Sequence, residues 1–113
     1  MSSGYNEAGL SDGAANIHRA LASLQEELEA VDYYQQRGDR SDDEALKAVL
    51  AHNRDEEVEH ATLLLEWLRR TMPQFDEQMR KLLFTTGAIT AKADAAAPDG
   101  AADGQGLGVG RLA

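Results

Sequence analysis

The chain has 113 residues, no cysteine and a formal net charge of −9, with 20 acidic residues against 11 basic ones. This charge argues against nucleic acid as a partner, because binding phosphates requires clusters of Lys and Arg. The lack of cysteine excludes disulfides and thiolate metal sites, so any metal would be bound by Glu, Asp and His. The N-terminus lacks the apolar core of a signal peptide and no apolar run could span a bilayer, so we expect a soluble, cytoplasmic protein with no membrane partner.

Residues 1–12 are small and polar, and the sequence predicts a flexible N-terminal segment there. The first helix is expected to begin near Ala14, because apolar residues then recur at alternating steps of four and three, the spacing of one helix face. These residues are Ile17, Leu21, Leu24, Leu28 and Val31. Gly38 follows Arg37 and is a natural C-terminal stop, so we expect the helix to end there.

A short linker, residues 38–40, separates the first helix from a second one. The stretch S-D-D-E that follows predicts a capping box, in which Ser41 caps the helix and Glu44 reaches back. Pro73 ends this helix at about Thr71 and can itself open a third, shorter helix. The second helix carries a stripe formed by Leu46, Leu50, Asn53, Glu57, His60, Leu64 and Trp67, and the third contains Phe75, Met79, Leu82 and Leu83.

The first two helices are each predicted to have about 25–30 residues, which is roughly 40 Å at 1.5 Å per residue. So short a linker forces them to lie antiparallel, as a hairpin. Two helices are half of a four-helix bundle and cannot cover both apolar stripes within one chain. We therefore expect an all-α domain over residues 13–86, an antiparallel hairpin plus a short C-terminal helix, that dimerises into a four-helix bundle.

Two polar residues interrupt the apolar stripe of the second helix. Glu57 and His60 are one turn apart on one face, a spacing that suits two ligands of the same metal ion. A buried carboxylate is costly unless it is neutralised, paired or bound to a metal. Glu27 lies on an inward face of the first helix, so a dimer would supply two single Glu residues and two Glu-x-x-His pairs. This is the ligand set of di-iron carboxylate sites in four-helix bundles, and hard oxygens with one imidazole per iron suit Fe(II) and Fe(III).

The residues alone leave alternatives open. The inward polar residues could form a Glu–His hydrogen bond, or a salt bridge to Arg54, without any metal. The hairpin could be a non-catalytic interaction module, or its ligands could hold zinc or manganese. Glu26 and Glu29 are consistent with an outer cation site and equally with a solvated acidic face, and Tyr34 could pack or hydrogen-bond a metal ligand.

The composition changes to Ala, Gly and Asp after about Thr86, so residues 87–105 are predicted to be a flexible linker. The last residues, 106–113, are apolar again. An apolar patch at the end of a tether is typical of a short recognition peptide for a groove on a partner, although a frayed end would have the same composition.

Three stretches resemble the encapsulated ferritins of bacteria: EELEAVDYYQQR (26–37), LAHNRDEEVEHATLLLEWLRR (50–70) and LLFTTGAIT (82–90). The terminal LGVGRL is similar to the peptides that direct cargo into encapsulin shells. The resemblance implies a ferritin-like ferroxidase that oxidises Fe(II) to Fe(III) at a di-iron centre shared between two subunits. It further implies a ring-shaped decamer of five dimers inside an encapsulin nanocompartment, which stores the iron mineral.

The resemblance also implies roles for individual residues of the two long helices. Three residues match the ligands of the ferroxidase centre, one matches a tyrosine beside it, and two match an outer site that draws metal inward. They are Glu27, Glu57 and His60 for the centre, Tyr34 for the tyrosine, and Glu26 and Glu29 for the outer site. The chain departs from the expected pattern at Tyr33, where some relatives have Trp, and at Val58, where a charged residue is expected. Both departures concern subunit packing and the outer site rather than the ligands.

Overall fold

The computed structural model describes residues 4–93 of the chain. Within this range the backbone forms α1 (Asp12–Arg40), α2 (Glu44–Thr71) and α3 (Pro73–Leu82), followed by a 3₁₀ turn at Ile89–Ala91. The prediction of an all-α hairpin with a short third helix is confirmed. None of the helices in this part of the chain combines the length and apolarity needed to cross a membrane. The predicted recognition peptide and the predicted linker from residue 94 onward lie outside the described residues.

The two long helices pack against each other in antiparallel directions. Gln35 of α1 accepts a hydrogen bond from Arg54 of α2 at 2.8 Å, and Glu27 lies 3.5 Å from His60. A step toward the N-terminus of α1 therefore corresponds to a step toward the C-terminus of α2. The chain divides into two units after Asp76. The first contains the hairpin and the opening turn of α3, and the described part of the second contains the rest of α3 and the 3₁₀ turn.

The first helix is longer than the sequence predicted. It continues through Gly38 and ends at Arg40, and the backbone N–H of Ser41 donates to the carbonyl of Arg37 at 3.0 Å. Gly38 has no left-handed φ and lies opposite Leu50, where α1 still packs on α2. The prediction of a stop at Gly38 was wrong, because packing between helices overrides the weak preference of one residue.

The second helix begins at Glu44, and its N-cap is Asp43. The carboxylate of Asp43 accepts a hydrogen bond from the N–H of Leu46 at 3.0 Å, whereas the hydroxyl of Ser41 accepts one from the N–H of Asp43 at 3.2 Å. The predicted capping box was therefore wrong by two residues. Asp caps a helix as well as Ser does, and both Ser41 and Asp43 adopt the extended backbone with which the chain reverses direction.

Few side chains are fully buried within one chain. Among the described residues, the buried apolar ones are Ala20 of α1 and Ala61 and Leu68 of α2. The large apolar side chains that remain exposed on the two long helices are Leu28, Tyr33, Leu46, Val49, Val58, Leu63 and Trp67. A single hairpin thus leaves much of its apolar surface in water, and such a surface is characteristic of an interaction site.

Candidate metal centre

Three side chains of the types that can ligate a metal ion meet near the middle of the hairpin. Glu57 and His60 project from successive turns of α2, and the antiparallel packing brings Glu27 of α1 opposite them. One ligand atom from each residue lies within 4.8 Å of those of the other two. The structure therefore brings together the three residues that the sequence predicted as ligands.

The imidazole of His60 contacts both carboxylates. Its Nδ1 lies 3.2 Å from Oε1 of Glu57 and 3.5 Å from Oε1 of Glu27. The side chains of Glu27 and Glu57 are 26% and 24% exposed, whereas that of His60 is 50% exposed. The carboxylates are therefore sheltered by the two helices, while the group as a whole is accessible from outside the hairpin.

The proximity of the two carboxylates shifts their pKa values in opposite directions, through a hydrogen-bonding interaction between Glu27 and Glu57. It raises the pKa of Glu27 above its ordinary value, and partial burial and the negative charge of Glu57 act in the same direction. The pKa of Glu57 is lowered by the hydrogen bonds that it accepts from Glu27 and His60. The pKa of His60 is raised, mainly by its hydrogen bond to Glu57. A cation bound here would compete with protons for these side chains, because it would neutralise both carboxylates at once.

The metal-free alternatives can be compared with this geometry. The guanidinium of Arg54 is engaged elsewhere, donating to Asp55 at 3.0 Å and to Gln35 at 2.8 Å. The other alternative, a hydrogen bond between Glu57 and His60, is present at 3.2 Å. That bond does not account for the second carboxylate, Glu27, which lies beside Glu57, and two adjacent carboxylates repel each other unless a proton or a cation neutralises them.

The other predicted site residues lie outside this group. The ring of Tyr34 is 5.7 Å from the guanidinium carbon of Arg37, and it lines an open cavity of about 420 Å³ near the hairpin turn. Glu26 is exposed and Glu29 is half-buried on α1. Within residues 4–93, the group of three acidic or histidine side chains that could hold a metal is the one at His60. The roles of Tyr34, Glu26 and Glu29 stay predictions.

A second charged cluster, which the sequence did not predict, joins the end of α2 to the start of α3. We call it the Arg69 cluster; it consists of Glu66, Arg69, Arg70 and Asp76. Arg69 donates to both carboxylate oxygens of Glu66 at 2.8 Å, and its remaining terminal nitrogen donates to Asp76. Arg70 donates to Glu66 at 2.7 Å, and together these donors hold the pKa of Glu66 down at about 2. The spacing of Glu66 from the two arginines could have indicated their contacts with Glu66. No sequence spacing could have indicated the contact of Arg69 with Asp76, which lies beyond Pro73.

A helical hairpin that carries Glu on one helix and Glu-x-x-His on the other has the residue types and spacing of one half of a carboxylate-bridged four-helix metal site. The chain belongs to the EncFtn-like family, whose sequence model matches residues 4–86. The resemblance to encapsulated ferritins is thereby confirmed.

Relatives support this assignment. The chain is 57% identical over 82 residues to the encapsulated ferritin-like protein of Rhodospirillum rubrum, a match that covers 73% of this chain and 59% of that protein. It is 58% identical over 72 residues to the ferritin-like protein of Thermotoga maritima, covering 64% of this chain and 63% of the relative. It is 36% identical over 85 residues to the encapsulin nanocompartment cargo protein EncC of Myxococcus xanthus, covering 71% and 65%. The chain thus spans 59% to 65% of the length of these curated relatives.

A solved structure also shares the fold. The crystal structure of protein ne0167 from Nitrosomonas europaea superposes with a TM-score of 0.74 at 55% sequence identity. The match covers 77% of this chain and 98% of that one. The helical architecture is therefore shared with an experimentally determined relative.

Proposed function

We propose that this chain is a ferroxidase that binds Fe(II) between two copies of itself and oxidises it to Fe(III). The observation that carries the proposal is the meeting of Glu27, Glu57 and His60 at the centre of the hairpin. Two carboxylates and one imidazole form the oxygen-rich donor set that iron accepts in such bundles. Membership of the EncFtn-like family supports the same assignment.

The donor set argues for a second copy. One chain supplies two Glu and one His to the group, which is too few ligands for two iron ions. A copy related by a two-fold axis doubles the set to four Glu and two His, the complement of a di-iron carboxylate site. Leu46, His60 and Trp67 are separated by multiples of seven residues, so they share one stripe of α2, and both apolar members are exposed. A second hairpin that covers this stripe would bury its apolar side chains and would also supply the missing metal ligands.

In this proposal Fe(II) is the substrate. The carboxylates of Glu27 and Glu57 bind it and favour the higher charge of the product. His60 binds iron only as the neutral imidazole, so binding should weaken at acid pH. Each Fe(II) loses one electron. Dioxygen accepts two electrons and two protons to form hydrogen peroxide, or four electrons and four protons to form two water molecules. The product Fe(III) then leaves the site and mineralises elsewhere.

The storage compartment belongs to a partner in this proposal. Two relatives are named as an encapsulated protein and as encapsulin cargo. We extend this context to the chain: residues 106–113 dock into an encapsulin shell, and the dimers assemble as a decameric ring within it. Tyr34 supports the centre, and Glu26 and Glu29 draw metal toward it from outside.

The proposal is tested by substitution of the three ligands in the full chain. Glu27→Ala, Glu57→Ala and His60→Ala should each reduce aerobic Fe(II) oxidation, followed by near-ultraviolet absorbance, to the background rate. His18→Ala and Glu77→Ala are matched controls, because they make the same changes at exposed positions outside the group. If all three ligand variants oxidise Fe(II) like the unaltered chain, the site is misassigned.

A second measurement separates iron from other metals. Metal analysis of the purified protein, together with its mass in the presence and absence of Fe(II), should show iron bound to an even number of chains. Tight binding of zinc or manganese without turnover of Fe(II) would favour a different metal site. Background oxidation with no bound metal would favour an interaction module in which the Glu57–His60 hydrogen bond serves only packing.

A further inference from the structure

The break between α2 and α3 has a local cause. Pro73 has no N–H, so it cannot donate to the carbonyl of Arg69, and its ring clashes with a continuing helix. Met72 belongs to the backbone hydrogen bonding of both helices. Its N–H donates to the carbonyl of Leu68 at 2.8 Å, and its carbonyl accepts from the N–H of Phe75 at 2.9 Å. Met72 itself has an extended backbone, with φ −113° and ψ 106°. A single extended residue thus joins two helices, and the backbone alone constrains this joint weakly.

The Arg69 cluster bridges this joint with side chains. Arg69 binds Glu66 on α2 through two nitrogens and Asp76 on α3 through the third. Its side chain is 27% exposed, so the ion pairs are partly sheltered from water, whereas the side chain of Arg70 is 73% exposed. Because the guanidinium is planar and rigid, binding at both of its edges restricts the geometry of the joint more than one point charge would.

We propose that Arg69 is a positioning residue that holds the first turn of α3 on the last turns of α2, and that salt releases it. This role is separate from iron chemistry, since the cluster shares no residue with the group at His60. Ion pairs that are partly exposed weaken as salt shortens the Debye length from about 10 Å at 0.1 M to about 3 Å at 1 M. The α2–α3 joint is therefore stiff at low ionic strength and loosens at high ionic strength.

Asp76 could stabilise α3 in a second way, which must be separated from its ion pair with Arg69. An acidic residue in the first turn of a helix is stabilised by the partial positive charge of the N-terminus, without any partner on another helix. Substitution of Asp76 alone would weaken α3 on either account. A double-mutant cycle of Arg69→Gln and Asp76→Asn distinguishes them, because only a direct pair makes the two effects non-additive.

The test is hydrogen–deuterium exchange of the α3 amides in the full chain, with the amides of α1 and α2 as the internal reference for folding. At low salt, Arg69→Gln should accelerate exchange in α3 about two- to five-fold, the range for partly exposed ion pairs. Arg70→Gln is the matched control: it removes the same charge from the neighbouring residue, which donates to Glu66. It should change exchange in α3 much less.

Salt provides the second comparison. Exchange of α3 in the unaltered chain should rise toward the rate of Arg69→Gln at about 1 M salt, while Arg69→Gln itself should respond little. Equal effects of Arg69→Gln and Arg70→Gln, an additive cycle with Asp76→Asn, or a full salt response in Arg69→Gln would each overturn the proposal. Unchanged aerobic Fe(II) oxidation in Arg69→Gln would be consistent with it, since the cluster lies apart from the metal ligands.

Discussion

Replacement of Gly38 by Ala should stabilise the hairpin. Gly38 lies inside α1, two residues before its end at Arg40, and its φ is outside the left-handed region. A Cβ built at this position lies 3.8 Å from the Cβ of Leu50, so the new methyl group makes an ordinary contact rather than a clash. Ala also has fewer backbone conformations than Gly in the unfolded chain, so folding costs less entropy.

The expected gain in the free energy of unfolding is about 0.5–1 kcal/mol, the range for Gly→Ala at helical positions. The position near the end of α1 favours the lower half of that range, because the last turn frays. For a domain of this size the gain corresponds to a rise in melting temperature of roughly 2–8 °C. The measurement is thermal unfolding followed by circular dichroism at one fixed chain concentration, because association also shifts the midpoint.

Gly87→Ala is the matched control. It adds the same methyl group where no atom lies within 4 Å, but at a φ of +87°, which L-residues adopt at a cost of about 1–2 kcal/mol. No stabilisation is expected there. A lower midpoint for Gly38→Ala, at an unchanged association state, would refute the reasoning. It would mean that Gly38 needs the left-handed conformation that ends a helix.

Three further predictions concern the pH response, the assembly and the tail. In the folded chain the pKa of Glu66 is lowered to about 2 from an ordinary 4.5. The ion pairs of Glu66 therefore stabilise the fold fully above about pH 4.5, and this stabilisation is lost as the pH falls toward 2. Glu66→Gln should flatten that part of an acid-unfolding curve, and an unaltered curve would contradict the assignment. The sole tryptophan, Trp67, is 39% exposed, so its fluorescence should shift to shorter wavelength as chains associate; a constant spectrum while the mass doubles would place the interface elsewhere. Deletion of residues 106–113 should abolish packaging on co-expression with an encapsulin shell protein, with Fe(II) oxidation retained, and unchanged packaging would disprove the role of the tail.

The hairpin was predictable because helical periodicity is local. Each step of three or four residues along α2 depends only on the geometry of one turn, and the stripe from Leu46 to Trp67 repeats it often enough to exclude chance. The helix ends were less predictable. Gly38 is typical of a helix end and Ser41 of a helix start, but neither residue has that role. The contact of Gly38 with Leu50 lies inside α1, and the carboxylate of Asp43 caps α2.

In the candidate site, too, local spacing was predictable and packing between helices was less so. Glu57 and His60 could be placed on one face from their spacing, whereas the position of Glu27 opposite them depends on the register between two helices. A short linker limits that register, so the prediction of all three residues was possible. The contact between Arg69 and Asp76 depends on the angle of a helix break, and no sequence spacing encodes that angle.

Among the described residues, Leu68 is the one large side chain that is fully enclosed within a single chain. If a second copy covers the exposed apolar stripe, as proposed above, folding should be second order in chain concentration, because much of the stabilising contact would come from that copy. Dilution would then act on this protein as a denaturant does. In the proposed dimer, the amount of folded protein would therefore rise more steeply than in proportion to the abundance of the chain.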